Sequence, residues 1–227
     1  MLFPTYIADN FFPDFKKVLD FEKKLKYYRA NDGRWPGERT QKLHEVNYDF
    51  YSYVNNKILS LMYPYEVNNI IYLATMTFQK INTQEYGKAW IHSDDENSMF
   101  TSIIYISNHL DKGTSIYNLK KNNFYFSGEN AHNQHKEKHY LNVTDKSLKE
   151  NSEKHCVISN SKYEESVKIN SKPNRILIFD AHSFHGAHNF NETVDKKEPR
   201  ITLITFFHKI DFKDITPKYP ISECNNF

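Results

Sequence analysis

From Ile70 onward the apolar residues change from a helical spacing to alternation, and this change constrains the fold more than any other feature of the chain. The runs IIYLATMTFQKI (70–81), KAWIH (88–92), FTSIIYIS (100–107), TSIYNL (114–119), NFYF (123–126), RILIFD (175–180), SFHGAHNF (183–190) and RITLITFFHKI (200–210) are short and separated by polar turns. They are rich in Ile, Tyr, Phe and Thr, whose branched or aromatic side chains pack well on a pleated surface, so they predict antiparallel strands. Upstream, Pro13–Arg29 places Phe15, Val18, Leu19, Phe21 and Leu25 on one helical face, and Asp49–Met62 repeats the pattern before Pro64. Two helices followed by these strands predict an α+β, mainly β chain: a helix-buttressed sandwich or barrel.

With 227 residues the chain can bury a core without disulfides, and an aromatic content of 15% suits that core to a sheet. One domain over 1–227 is expected: a helical part at 1–68, a β core at 69–210 and a tail at 211–227. The polar stretch 127–174, with His132, His135, His139 and His155 among lysines and asparagines, reads as a surface insertion with a helix or an edge hairpin. The histidines His132, His135 and His139 are expected on a solvated face.

A formal charge of +2 gives no strong nucleic-acid signal. Cys156 and Cys224 lack CxxC spacing, which excludes a zinc knuckle and leaves two free thiols. The opening residues carry no basic segment followed by an apolar run, and no stretch has the length of a membrane span, so a soluble, cytoplasmic protein is expected.

The chemistry lies in three segments. His92-Ser93-Asp94 closes the run KAWIH, and residues two apart on an extended chain project to one side, so an imidazole and a carboxylate can converge on one ion. Alone, HxD is a weak signal. The second segment, RILIFDAHSFHGAHNF, offers His182, His185 and His188 three residues apart, and spacing does not choose among them. The third, Arg200-Ile201-Thr202, opens a strand with a cationic fork able to hold a carboxylate in two bonds. Two His and one carboxylate on one side of a metal leave positions open for a chelating cosubstrate and oxygen.

In these segments the chain resembles the double-stranded β-helix Fe(II)/2-oxoglutarate oxygenases, and within them the small prolyl-4-hydroxylase-like enzymes. The residues that carry the resemblance are HSD at His92–Asp94, IIYIS around Tyr105, GTSIY at Gly113–Tyr117, LIFDAHSFH ending at His185, and RIT at Arg200–Thr202. More loosely, WPGERT at Trp35–Thr40 resembles a PGxRT segment of such oxygenases. The resemblance implies a jelly-roll or cupin-like core with N-terminal flanking helices, with His92, Asp94 and His185 as iron ligands. It further implies that Arg200 pairs with the distal carboxylate of 2-oxoglutarate, with Thr202 and Tyr105 beside it. By the same resemblance, O2 and 2-oxoglutarate yield succinate and CO2 while a C–H bond is hydroxylated, with ascorbate as a candidate reductant. A proline-like side chain of a peptide or protein, or a small amino-acid-like molecule, is the expected substrate.

Asp94 favours hydroxylation over halogenation, since related halogenases replace that carboxylate. Phe206, where the nucleic-acid demethylases carry a second arginine, disfavours nucleobase repair. The competing reading is a non-redox cupin-like metal-binding protein or isomerase, which has no need of Arg200. Other residues admit plain structural readings: Arg175 as a strand-start residue, Gly113 as a positive-φ turn, His208 as a satisfied strand-end residue. Trp90 and Tyr117 fit a channel wall or the core equally, and Trp35 and Arg39 fit a substrate entrance or a connecting turn equally. The sequence leaves the oligomeric state open.

Overall fold

The computed structural model describes residues 3–30, 32–65, 67–82, 89–94, 97–108, 112–121, 136–141, 145–188 and 199–213. Its helices are α1 (Phe15–Glu22), α2 (Leu43–Val46), α3 (Tyr48–Met62) and α4 (Lys146–Asn160), with a further helical stretch at 136–141. Its strands are β1 (Tyr6–Ala8), β2 (Tyr27–Arg29), β3 (Glu38–Thr40), β4 (Ile70–Ile81), β5 (Phe100–Tyr105) and β6 (Thr114–Leu119). They continue with β7 (Tyr163–Ile169), β8 (Ile176–Asp180), β9 (Phe184–Ala187) and β10 (Arg200–Phe212).

A seven-stranded antiparallel sheet runs in the order β1-β8-β5-β10-β4-β3-β2, and a three-stranded sheet runs β7-β6-β9. Strand alternation divides the large sheet into two faces. On one, Met76, Phe78, Ile104, Ile178, Leu203 and Phe207 pack under the helices with Val54 and Ile58 of α3. Phe100 and Phe207 stack there at 4.4 Å between centroids. On the other, Ile103, Tyr105, Leu177, Phe179 and Ile204 meet Ile116 and Ile169 of the small sheet. The β10–β4 register keeps every second residue of β10 from Arg200 to Phe206 on this second face, which carries the site.

Helix α3 begins where Asn47 accepts the amide of Phe50 at 2.9 Å, a side-chain N-cap, and it buries Val54, Ile58, Leu59 and Met62. The expected first helix is shorter than its apolar period. It ends at Glu22, whose buried carboxylate accepts the Tyr27 phenol at 2.6 Å, and Tyr27–Arg29 pairs with β3 instead. Sheet pairing here overrides a helical spacing.

KAWIH forms no strand among its described residues beyond a single bridge, His92 to His185. The stretch read as a surface insertion holds α4 and β7. Strand β7 is an edge whose five central residues are exposed, so its composition is polar although it pairs with β6 from Thr114↔Ile169 to Leu119↔Tyr163. NFYF, His132, His135 and Cys224 lie outside the described residues. Cys156 is a buried free thiol.

Gly113 corrects another expectation, because its φ is not among the positive ones. Its reason is proximity: a Cβ there would sit 1.7 Å from the carbonyl oxygen of Ile169. The positive φ belongs to Gly37 in WPGERT, at 72°, where a Cβ would meet the Lys80 carbonyl oxygen at 2.1 Å. Among the described residues, no helix is long and apolar enough to cross a membrane.

Candidate functional site

His92 and His185 are distant in sequence and meet through a backbone bridge. Each donates its amide to the other's carbonyl, at 3.0 Å and 2.8 Å, and their ring centres lie 4.6 Å apart. Asp94 is fixed two residues further on, where its amide donates to the Ala181 carbonyl at 2.9 Å. The arrangement brings one ligating atom from each of His92, Asp94 and His185 within 4.8 Å of the others, a group that could hold a metal ion.

Both imidazoles are oriented from behind. Nδ1 of His92 lies 2.8 Å from the Trp90 carbonyl and Nδ1 of His185 lies 2.9 Å from the Ser183 carbonyl. A carbonyl only accepts, so Nδ1 carries the proton in each ring and the Nε2 lone pair faces the centre. Oδ1 of Asp94 lies 4.0 Å from Nε2 of His92 and 3.5 Å from Nε2 of His185. Its other oxygen, Oδ2, accepts the Thr101 hydroxyl at 2.5 Å. Sequence reasoning missed Thr101, although it is two and four residues from Ile103 and Tyr105 on the same face of β5.

The three residues line a cavity of about 910 Å³ together with Arg200, Arg39 and Trp90. Arg200 is buried, its Nε donates to the Lys112 carbonyl at 3.2 Å, and its guanidinium lies 5.6 Å from the Tyr105 ring centre. Among the described residues no carboxylate pairs with it. Burial lowers its pKa, partly offset by Tyr105. Thr202 stands opposite Tyr105 in the β10–β5 register; both are fully buried beside Arg200 rather than exposed in the cavity wall. The Tyr105 hydroxyl donates to Thr114 at 3.0 Å, and burial raises its pKa. The Thr202 hydroxyl has no partner among the described residues.

Of the three neighbouring histidines, the fold brings only His185 to His92 and Asp94. His182 is exposed and sits 3.3 Å from Asp180, whose carboxylate also accepts the amides of His182 and Phe3. His188 is buried in the small sheet: Nε2 accepts the Gly113 amide at 3.2 Å and Nδ1 lies 3.0 Å from the Ser115 hydroxyl. That hydroxyl donates in turn to Glu165 at 2.7 Å. The serine lies between the histidine and the carboxylate, so this chain is a cross-link and not a nucleophilic triad.

His208 lies between the Thr75 and Ser98 hydroxyls at 3.0 and 3.3 Å and lines the cavity. His139, expected on a solvated face, is buried with its ring 5.8 Å from Trp90, because the stretch 136–141 packs over residues 89–90. Arg175 pairs with Asp9 at 2.7 Å away from the cavity. Trp90 lines the cavity, whereas Tyr117 does not.

Three solved structures share this fold at low sequence identity. EvdO2 from Micromonospora carbonacea var. aurantiaca, complexed with 2-oxoglutarate, has a TM-score of 0.51 at 8% identity, over 94% of this chain and 89% of that one. HygX from Streptomyces hygroscopicus, with nickel and 2-oxoglutarate bound, has 0.50 at 10%, over 90% and 82%. The non-heme alpha ketoglutarate dependent epimerase SnoN from nogalamycin biosynthesis has 0.50 at 8%, over 92% and 80%. A comparison with curated protein sequences finds no match. A family model matches residues 3–207, a span that includes Arg39, His92, Asp94, His185 and Arg200, and the chain therefore belongs to the DUF6445 family, a family of unknown function.

Proposed function

We propose that this chain is an iron(II)- and 2-oxoglutarate-dependent oxygenase with a double-stranded β-helix core, in which His92, Asp94 and His185 hold the metal and Arg200 holds the distal carboxylate of 2-oxoglutarate. One observation carries the reading: a compact two-His, one-carboxylate donor set shares its cavity with a buried arginine that has no carboxylate partner among the described residues. The donor set fits the metal chemically, because Nδ1 of each imidazole is turned to a backbone carbonyl, both Nε2 atoms face Asp94 Oδ1, and each ligand is held from behind. HygX and EvdO2, which share the fold, are complexed with 2-oxoglutarate.

Bound there, iron(II) with 2-oxoglutarate and O2 supplies the oxidising power to break an unactivated C–H bond. The protein's share is placement. Arg200 offers a guanidinium fork in a dry wall, where a charge-assisted pair is stronger than in water. The unpaired Thr202 hydroxyl is buried next to Arg200 on the same strand face and would need a shift of the wall to reach that carboxylate, and Tyr105 supports the guanidinium. Buried Ile81 and Trp90 keep water from one side of the cavity.

The reaction we favour is hydroxylation of a proline-like side chain of a peptide or of a small amino-acid-like molecule, on the prolyl-hydroxylase-like motif order of the sequence. A non-redox metal-binding module is the weaker reading, since it gives Arg200 no task and a buried uncompensated cation is costly. The test is anaerobic addition of Fe(II) and then 2-oxoglutarate, followed by visible absorption. The wild-type protein should develop a metal-to-ligand charge-transfer band, which His185→Ala abolishes and Arg200→Ala weakens. Iron-loaded, folded protein that shows no band with 2-oxoglutarate would exclude the cosubstrate.

A further inference from the structure

The cavity holds a second group of cations that the proposed cosubstrate does not use. Arg39 projects from β3, and its guanidinium lies 4.5 Å from the Trp35 ring centre and 5.5 Å from that of Phe206. Its Nε and the Trp35 Nε1 are buried without hydrogen-bond partners among the described residues. Lys136 lines the same wall. Burial pulls Arg39 down to about 10, and burial with the repulsion of Arg39 lowers Lys136. Asp94 acts on both through space, yet no carboxylate among the described residues forms an ion pair with either. With Asp94 committed to a metal, Glu137 remains as a lining carboxylate that acts on Lys136 through space, and Arg39 faces the cavity without an ion-paired anion among the described residues.

An unpaired buried donor and like charges drawn partly out of water are costly unless a ligand satisfies them. The two aromatic rings beside Arg39 limit the freedom of its guanidinium, and that planar fork suits an oxyanion that accepts two bonds. We infer that Arg39 and Lys136, backed by Trp35, form a substrate-anion subsite in the wall of this cavity, and that the substrate is a small molecule carrying an oxyanion, either a free carboxylate or a phosphate. This rests on the reading of the site as a 2-oxoglutarate oxygenase and narrows its substrate class. An amino-acid-like molecule with a free carboxylate fits it. A prolyl residue inside a peptide brings no anion of its own.

Trp35 and Trp90 are the chain's two tryptophans and both line the cavity, so intrinsic fluorescence reports on its occupancy. The full chain would be saturated with zinc(II), a redox-silent stand-in for iron, and with 2-oxoglutarate, then titrated with sulfate or with acetate at constant ionic strength. Wild type should respond saturably to at least one anion; sulfate preference identifies a phosphate-like group and acetate preference a carboxylate. Arg39→Gln and Lys136→Gln should each weaken that response at least about tenfold while leaving 2-oxoglutarate affinity within about twofold. Arg200→Gln should do the reverse. Urea midpoints check folding, and if Arg39→Gln fails to fold, Lys136→Gln carries the test.

A wild-type protein indifferent to both anions, or unchanged anion binding in the folded variants, overturns the subsite. Loss of 2-oxoglutarate binding in Arg39→Gln instead assigns Arg39 to the cosubstrate and also overturns it. If wild type binds no 2-oxoglutarate but still binds sulfate or acetate through Arg39, the anion site stands and the oxygenase reading falls.

Discussion

The two oxygens of Asp94 have different surroundings. Oδ1 faces the two Nε2 atoms, and Oδ2 is tied to the Thr101 hydroxyl. Groups that orient a ligand from behind commonly change metal affinity ten- to a hundredfold when removed. Thr101→Val keeps the branched shape on β5 and deletes the donor, so divalent-metal affinity should fall by about that factor with an almost unchanged fold. Metal titration followed by calorimetry checks it, and wild-type affinity in the variant would show that Thr101 does not position the carboxylate. Nothing in the sequence marked Thr101, because threonine is ordinary in a strand and its hydroxyl gains meaning only when β5 lies beneath residue 94. His92 and Asp94 were legible from extended geometry, whereas His185 could not be separated from His182 and His188 by spacing. The turn anchored on Asp180 and the tie from His188 to Ser115 make the separation, and both depend on the fold. Far from the site, Arg175 and Lys172 hold Asp9 down to about 2 from an ordinary 3.8. A carboxylate with a depressed native pKa adds stability above its unfolded value and loses that contribution as pH falls through the native one. Asp9→Asn should therefore flatten the decline in stability between pH 4 and pH 2, and should have its largest effect above pH 4. Urea midpoints across that range measure it.

Among the elements, the β2–β3 hairpin carries Arg39 into the cavity wall. It crosses from the edge of the large sheet to the site because Gly37 takes a φ of 72° and lies against the Lys80 carbonyl, which delivers Arg39 opposite Gln79. Gly37→Ala imposes a left-handed conformation and a clash with backbone, so it should cost at least about 1 kcal/mol. It should also weaken anion binding as Arg39→Gln does, because it moves the strand that carries Arg39. Chemical denaturation and the fluorescence titration read the two effects separately; anion binding at wild-type strength would mean that the hairpin does not set the Arg39 position. Strands with buried faces were the legible part of the fold, and β4 of the large sheet and β6 of the small one match their apolar runs residue for residue. A helix or an edge hairpin was expected within 127–174, but strand β7 could not be located in it because an exposed edge needs no apolar pattern. The first helix was overextended because Leu25 keeps a helical spacing from Phe21, while Tyr27 bonds Glu22 and joins a sheet.

For the molecule as a whole, the three proposed ligands tie separate parts of the fold together. His92 and Asp94 lie on a segment with one bridge to β9, and His185 belongs to β9 itself, beside the Asp180 turn that also holds the amide of Phe3. An ion bound by all three stabilises the folded state and has no assembled site in the unfolded chain. At a free concentration a hundred times its Kd, the linkage is worth about 2.7 kcal/mol. For a chain of this size, where 1 kcal/mol moves Tm by about 2–4 °C, zinc(II) or anaerobic iron(II) should raise Tm by about 5–11 °C. The variants then separate ligation from structure. His185→Ala should lose the rise. His182→Ala, at an exposed position, should keep both the baseline and the rise. His188→Ala should lower the baseline by about 1–3 kcal/mol, because Ser115 and the Gly113 amide lose a buried partner, and should still keep the rise. Retention of the rise in His185→Ala, or its loss in His182→Ala, would place the metal on a different histidine.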